Sequence, residues 1–180
     1  MPESPISKMC KGNKALVLFN RGGSSGAKRR ISQKWIKLWS GLIENRRQDF
    51  CHGEIFFPHT GQSFSARGFD NNVNFKMVQY SHPERWFVIE LKSYIKGTAL
   101  YHSMYEDCHK YLGCKYDYVG AAFNKLNPHN NSWYCFEIIN HIFGFEPCAQ
   151  YGAKTVRNII GKASGCYGLR YLLQLNLKNA

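Results

Sequence analysis

Short apolar runs dominate the first half of the chain, and apolar stripes at helical spacing dominate the second. Ala15 to Asn20 (ALVLFN) is an apolar run bounded by polar residues, which reads as a buried strand. Phe50 to Phe57 (FCHGEIFF) is strand-like, Pro58 to Gly61 (PHTG) is a turn signature, and Gln62 to Arg67 (QSFSAR) is extended again. Together they predict a β-hairpin. Val73 to Val78 and Trp86 to Leu91 predict two more strands, the second introduced by the turn or short helical lead His82-Pro83-Glu84-Arg85. One helix interrupts this region, because Ile31, Trp35, Leu38, Trp39, Leu42 and Ile43 recur at spacings of three and four. From Thr98 the pattern turns helical. Residues 98–112 predict a helix closed by Gly113, and Tyr116 to Phe123 starts another. The breaker-rich loop Asn127 to Ser132 leads to a helix over Trp133 to Phe143, stopped by Gly144. A last helix covers residues 153–160.

This alternation predicts an α+β fold, a small antiparallel sheet packed with helices, in a single domain over residues 1–180 with residues 1–14 as a flexible basic arm. A length of 180 residues with 44% hydrophobic and 15% aromatic content suits one such core and excludes wholesale disorder. No apolar run approaches the roughly 20 residues of a bilayer-spanning helix.

The net charge of +12 favours anionic partners, nucleic acid or a membrane surface among them. Arg21, Lys28, Arg29, Arg30, Lys34, Lys37, Arg46 and Arg47 concentrate that charge in the first quarter. The chain holds seven cysteines, an odd number, and its polar start (Met1 to Lys14) lacks the apolar core of a signal peptide. The expectation is therefore reduced thiols in a cytoplasmic compartment, host cell or virion if the gene is viral.

Two residues carry candidate chemistry. Cys135 falls in the first turn of the helix that follows Asn130-Asn131-Ser132. Free N–H groups and the positive end of the helix dipole favour a thiolate there, and the same N–H groups can receive an oxyanion. A buried, inert core cysteine is the competing reading of that segment. His52 lies within a strand, and the period of two puts Glu54 on its face. A carboxylate so placed can fix the tautomer of the ring and stabilise an imidazolium. The returning strand offers Ser63 and Ser65, also on one face, and Ser65 competes with Glu54 for that role.

The order of these elements resembles the permuted branch of the NlpC-like papain-fold superfamily, in which the histidine strand precedes the cysteine helix. The segments that carry the resemblance are Cys51-His52-Gly53-Glu54-Ile55, Ser63-Phe64-Ser65-Ala66-Arg67, Pro83-Glu84-Arg85-Trp86 leading into Val88-Ile89-Glu90-Leu91, Tyr116-Asp117-Tyr118, and Trp133-Tyr134-Cys135-Phe136-Glu137. They span roughly residues 15–160. The resemblance implies a circularly permuted papain-like fold of the viral, phage and bacterial kind. It implies a Cys135–His52 pair with a third polar residue, Glu54 or Ser65, and amide or ester chemistry on a peptide, isopeptide or lipid-ester substrate. No cofactor and no metal are expected. Phe136 departs from the small residue that many relatives carry between the nucleophile and the following Glu, which would narrow or reshape the pocket.

Other signals change little. Cys108, His109 and Cys114 lack a recognisable zinc spacing. Gly22-Gly23-Ser24-Ser25-Gly26 lacks the Lys-Ser/Thr ending of a phosphate loop. Glu137 points away from Cys135 and is read as a capping or salt-bridging residue, and Asp117 as a helix cap or a residue of the cleft. The rival function is a catalytically inactive papain-like module that holds nucleic acid or a membrane through Arg21, Lys28, Arg29 and Arg30.

Overall fold

In the computed structural model the described residues are 11–22, 50–77, 80, 82–123, 131–145, 155, 158–160 and 170–171. Strands β1 (Lys14–Asn20), β2 (His52–Phe57), β3 (Gln62–Arg67), β4 (Asn72–Met77) and β5 (Trp86–Ile95) form the body of one sheet. Three short strands complete it: β6 (Lys115–Tyr116), β7 (Ser132–Trp133) and β8 (Arg170–Tyr171). Among the described residues up to 145 the α-helices are α1 (Ala99–His109), α2 (Tyr118–Phe123) and α3 (Cys135–Ile142). The architecture is α+β.

The strand order is β7-β6-β4-β3-β2-β1-β5-β8. Every neighbouring pair is antiparallel except β6 and β7, which run parallel. β1 is central, pairing with β2 on one side (Asn20 opposite His52) and β5 on the other. Its continuous apolar run follows from this position, since all of Ala15 to Phe19 is buried. The predicted hairpin is present, with Ile55 opposite Phe64 and Phe57 opposite Gln62. Its turn closes on Gly61 at φ 70°, a left-handed value that suits glycine.

The main core lies between one sheet face and the helices. Val17, Phe19, Ile55, Phe57, Phe64, Val73 and Ile89 meet Tyr101, Met104 and Cys108 of α1 and Ile138 and Ile139 of α3. The opposite face carries a smaller cluster of Leu16, Leu18, Phe56 and Val88, with Tyr80 and Trp86 packed against it. Alternation along β2 thus separates Ile55 from its neighbours Glu54 and Phe56.

Local chemistry sets the ends of the helices. Thr98 caps α1, its hydroxyl accepting from the Tyr101 N–H at 3.3 Å. α3 stops in a Schellman arrangement at Gly144 (φ 64°): Phe145 N–H donates to Asn140 O at 3.0 Å and Gly144 N–H to His141 O at 2.9 Å.

Several boundaries differ from the sequence expectation, the helix read over 98–112 ending at His109 among them. Tyr116 was expected to begin a helix but lies in β6, where its N–H donates to Asn71 O at 3.3 Å. α2 starts only at Tyr118, because Asp117 caps it: Oδ1 accepts from Gly120 N–H at 2.7 Å. Trp133 likewise belongs to β7, so α3 begins at Cys135 itself. β5 is longer than read, running to Ile95 rather than Leu91. In the expected 153–160 helix, Thr155 and residues 158–160 are helical. Of the residues read as a basic arm, Asn13 and Lys14 are tied to the sheet, Asn13 O accepting from Lys96 N–H at 2.6 Å and Lys14 opening β1. Residues 1–10, the 31–44 helix and the loop glycines from Gly23 on lie outside the described residues.

Candidate functional site

β2 and α3 place the two candidate reactive residues at their first positions. His52 opens β2 and Cys135 opens α3. The Cys135 side chain lies within hydrogen-bonding reach of the His52 ring. On its other side the ring donates from Nε2 to Glu54 Oε1 at 3.0 Å, leaving Nδ1 as the nitrogen not held by the carboxylate. Cysteine, imidazole and carboxylate thus form one chain of contacts. Cys135 is 3% exposed, whereas the His52 side chain is 26% exposed, so solvent reaches the group through the imidazole.

A glycine makes this approach possible. A Cβ on Gly53 would stand 2.7 Å from Ile139 Cδ1 and 3.1 Å from the Phe19 ring. Ile139 lies one turn beyond Cys135 on the same helix face. The absent side chain at Gly53 therefore lets α3 settle against the strand that carries His52. Gly53→Ala is expected to push the helix off the strand, lowering stability by about 1–3 kcal/mol through overpacking and slowing alkylation of Cys135. A thermal melt with thiol-labelling kinetics checks this, and an unchanged labelling rate would show that the spacing is not set here.

The electrostatics follow the contacts. Burial opposes charge on His52, but the Cys135 sulfur and the Glu54 carboxylate outweigh it and raise the ring to about 9. Burial likewise opposes the charge of Glu54, and the His52 contact, the Arg67 guanidinium and the Ser63 hydroxyl overcome it, holding the carboxyl near 2. At neutral pH the pair is imidazolium and carboxylate.

Ser65, the alternative third member, does not reach the ring. Its hydroxyl donates to Gly53 O at 2.6 Å and lies near Ala66 O at 3.3 Å, serving the β2–β3 pairing. Glu54 is the residue brought to His52. Phe136 is buried and stacks on Phe19 with ring centroids 6.1 Å apart. Glu137 is buried beside the helix start, its Oε2 accepting from Tyr134 N–H at 3.4 Å. Burial lifts its carboxyl to about 7, the Tyr134 bond opposing and the Asp117 charge adding to the rise.

Two further residues belong to the site. Tyr116 is close enough to Cys135 and Cys51 for their charges to act on its hydroxyl. Burial, above all, keeps that hydroxyl protonated far into the alkaline range. Its ring also rests against Gly68, where a Cβ would lie 3.3 Å from Cε1. Arg67, at the end of β3, is 3.4 Å from Glu54 Oε1. The period of two that links Ser63 and Ser65 also reaches Arg67, so its face was legible in the sequence. Tyr116 carried no signal beyond its place beside Asp117.

The described cysteines Cys51, Cys108, Cys114 and Cys135 are free thiols. Cys114 Sγ donates to Asn131 Oδ1 at 3.0 Å, and Cys108 is a core residue of α1. Among the described residues no group of three or more His, Cys, Asp or Glu is arranged to hold a metal ion, and no helix is long and apolar enough to cross a membrane. Of the basic residues proposed for an anionic surface, Arg21 lies with its guanidinium 5.8 Å from the centre of the Phe50 ring. Lys28, Arg29 and Arg30 fall outside the described residues. No protein-family model matches the chain, and no curated protein matches it.

Proposed function

We propose that the chain is a thiol hydrolase or acyltransferase that opens an amide or ester bond, with Cys135 as nucleophile, His52 as acid and base, and Glu54 as the group that orients the ring. The observation that carries this reading is the placement of one imidazole between a helix-start cysteine and a buried carboxylate. The chain order supports it, because the histidine strand precedes the cysteine helix as in the permuted papain-like proteins that the sequence resembles.

In the proposed reaction Cys135 Sγ attacks the carbonyl carbon of the substrate. The carbonyl π pair moves to oxygen, and that oxyanion faces the N–H groups of the first turn of α3, which precede the first intrahelical bond, Ile138 N–H to Tyr134 O. Collapse of the intermediate breaks the bond to the leaving group, which takes the proton held by His52. The product is a thioester on Cys135. Water, or an alcohol or amine in a transfer, then attacks it, with His52 taking and keeping the proton of the incoming nucleophile while the sulfur leaves as thiolate, which restores the starting pair.

The experiment is to incubate the protein with a panel of peptide amides, isopeptides and activated lipid esters, quench in acid, and measure its mass. An acyl adduct that maps to Cys135 and is released by hydroxylamine is the expected result. Cys135→Ala carries none. No adduct on any thiol, together with alkylation of Cys135 no faster than that of unfolded chain, would sink the proposal in favour of a binding module on the same fold.

A further inference from the structure

We propose that Arg67 is a positioning residue of this site: its guanidinium, clamped by β3 and β4, holds the Glu54 carboxylate in place against His52. The inference rests on the catalytic reading above and adds a fourth member to it.

The side chain of Arg67 is only 9% exposed and that of Glu54 only 4%. A charge so buried requires compensation, and each supplies it to the other. Both terminal nitrogens of the guanidinium are engaged. Nη1 donates to Asn74 Oδ1 at 2.7 Å, Asn74 O at 2.9 Å and Ser65 O at 3.3 Å. Nη2 donates to Ser63 Oγ at 2.8 Å and Ser63 O at 3.2 Å, beside its contact with Glu54. Two strands therefore fix the plane of the fork, and backbone carbonyls supply most of the grip. Asn74 is in turn held, its Nδ2 donating to Asn72 Oδ1 at 2.8 Å and Asp70 Oδ2 at 3.2 Å.

Glu54 is thus gripped from each direction. His52 takes Oε1 at 3.0 Å, Arg67 stands 3.4 Å from the same oxygen, and the Tyr80 hydroxyl lies 3.5 Å from Oε2. The Ser63 hydroxyl is the remaining polar neighbour. The groups facing His52 itself are Cys135 and Glu54. A carboxylate on a two-bond stem could rotate away from the imidazole, and a cation locked into the sheet prevents it. A lysine could match the charge but not the fork, since one ammonium cannot serve five acceptors on two strands.

The test is the pH profile of Cys135 alkylation by iodoacetamide, read by mass spectrometry below the melting transition of each variant. Loss of Arg67 frees the Glu54 carboxylate to rotate away from the ring, weakening the imidazolium beside Cys135. The acid limb of the profile in Arg67→Met is expected to move up by about one pH unit, the scale of one close opposite charge. Arg67→Lys should recover most of that shift without the full rate. Asn74→Ala, a milder change should Arg67→Met fail to fold, should move the limb in the same direction by less. Glu54→Gln should already show the shift, and Glu54→Gln/Arg67→Met should add nothing to it. A folded Arg67→Met, or Asn74→Ala in its place, with an unmoved limb overturns the proposal while leaving Cys135 and His52 intact. So does a shift that persists undiminished on top of Glu54→Gln. If His52→Ala leaves Cys135 labelling unchanged, the catalytic reading itself fails and takes this inference with it.

Discussion

His52→Ala is expected to lower turnover of any accepted substrate by about 10²–10⁴-fold, the usual contribution of a positioned acid–base group. It should also slow alkylation of Cys135 at neutral pH by at least about tenfold. The two effects have one origin. The sulfur loses its cationic neighbour, and the leaving group loses its proton donor. The pH dependence then follows with a definite sign. His52 is raised from its ordinary 6.5 to about 9 in the folded chain. The protonated ring, and with it leaving-group protonation, is fully present below 6.5 and is lost as pH rises through about 9. Activity should therefore fall on the alkaline side near pH 9 and not near 6.5. Steady-state rates and single-turnover labelling from pH 5 to 10 check this. An alkaline limb centred near 6.5 would mean that neither Cys135 nor Glu54 bears on the ring.

Much of this arrangement was legible because it is local. His52 and Glu54 share a face by strand alternation alone, and their 3.0 Å contact needs only two positions of one strand. The start and stop of α3 were bracketed by the breaker-rich loop and by Gly144, so a cysteine in the first turn could be read directly. The misplacements arise where an apolar pattern runs through a change of backbone state. Trp133 and Tyr134 extend the stripe of α3 backwards, yet Trp133 pairs with Tyr116 in the sheet. The run around Tyr116 conceals a boundary that Asp117 sets by capping α2. Ser65 and Glu54 had equal claims by spacing, and what separates them is a register that brings the Ser65 hydroxyl onto the Gly53 carbonyl. The face of Arg67 was legible but its burial was not. A basic residue at a strand end reads as solvated, and its burial depends on acceptors from β4 that only tertiary pairing supplies.

Removing the carboxylate should have the largest effect on stability. Glu54 sits at about 2, against an ordinary 4.5, so its charge contributes stability above pH 4.5 that is lost as pH falls through about 2. A difference of that size corresponds to about 3 kcal/mol, which is also the scale of breaking a buried pair by deleting one partner. Glu54→Gln leaves Arg67 buried with its charge uncompensated and takes from His52 the anion that helps to keep it protonated. The variant is expected to melt well below the parent at pH 5 to 7. The gap should narrow under strong acid, where the parent's own carboxyl is protonated, and again above pH 9, where His52 is neutral in the parent. Glu54→Leu/Arg67→Met removes both charges and should melt closer to the parent than Glu54→Gln, because no uncompensated ion then remains in the sheet. Thermal melts of the three proteins from pH 2 to 10 measure all of this. If Glu54→Gln follows the parent curve throughout, the carboxylate contributes nothing to the fold, and the ion pair with Arg67 is only a contact.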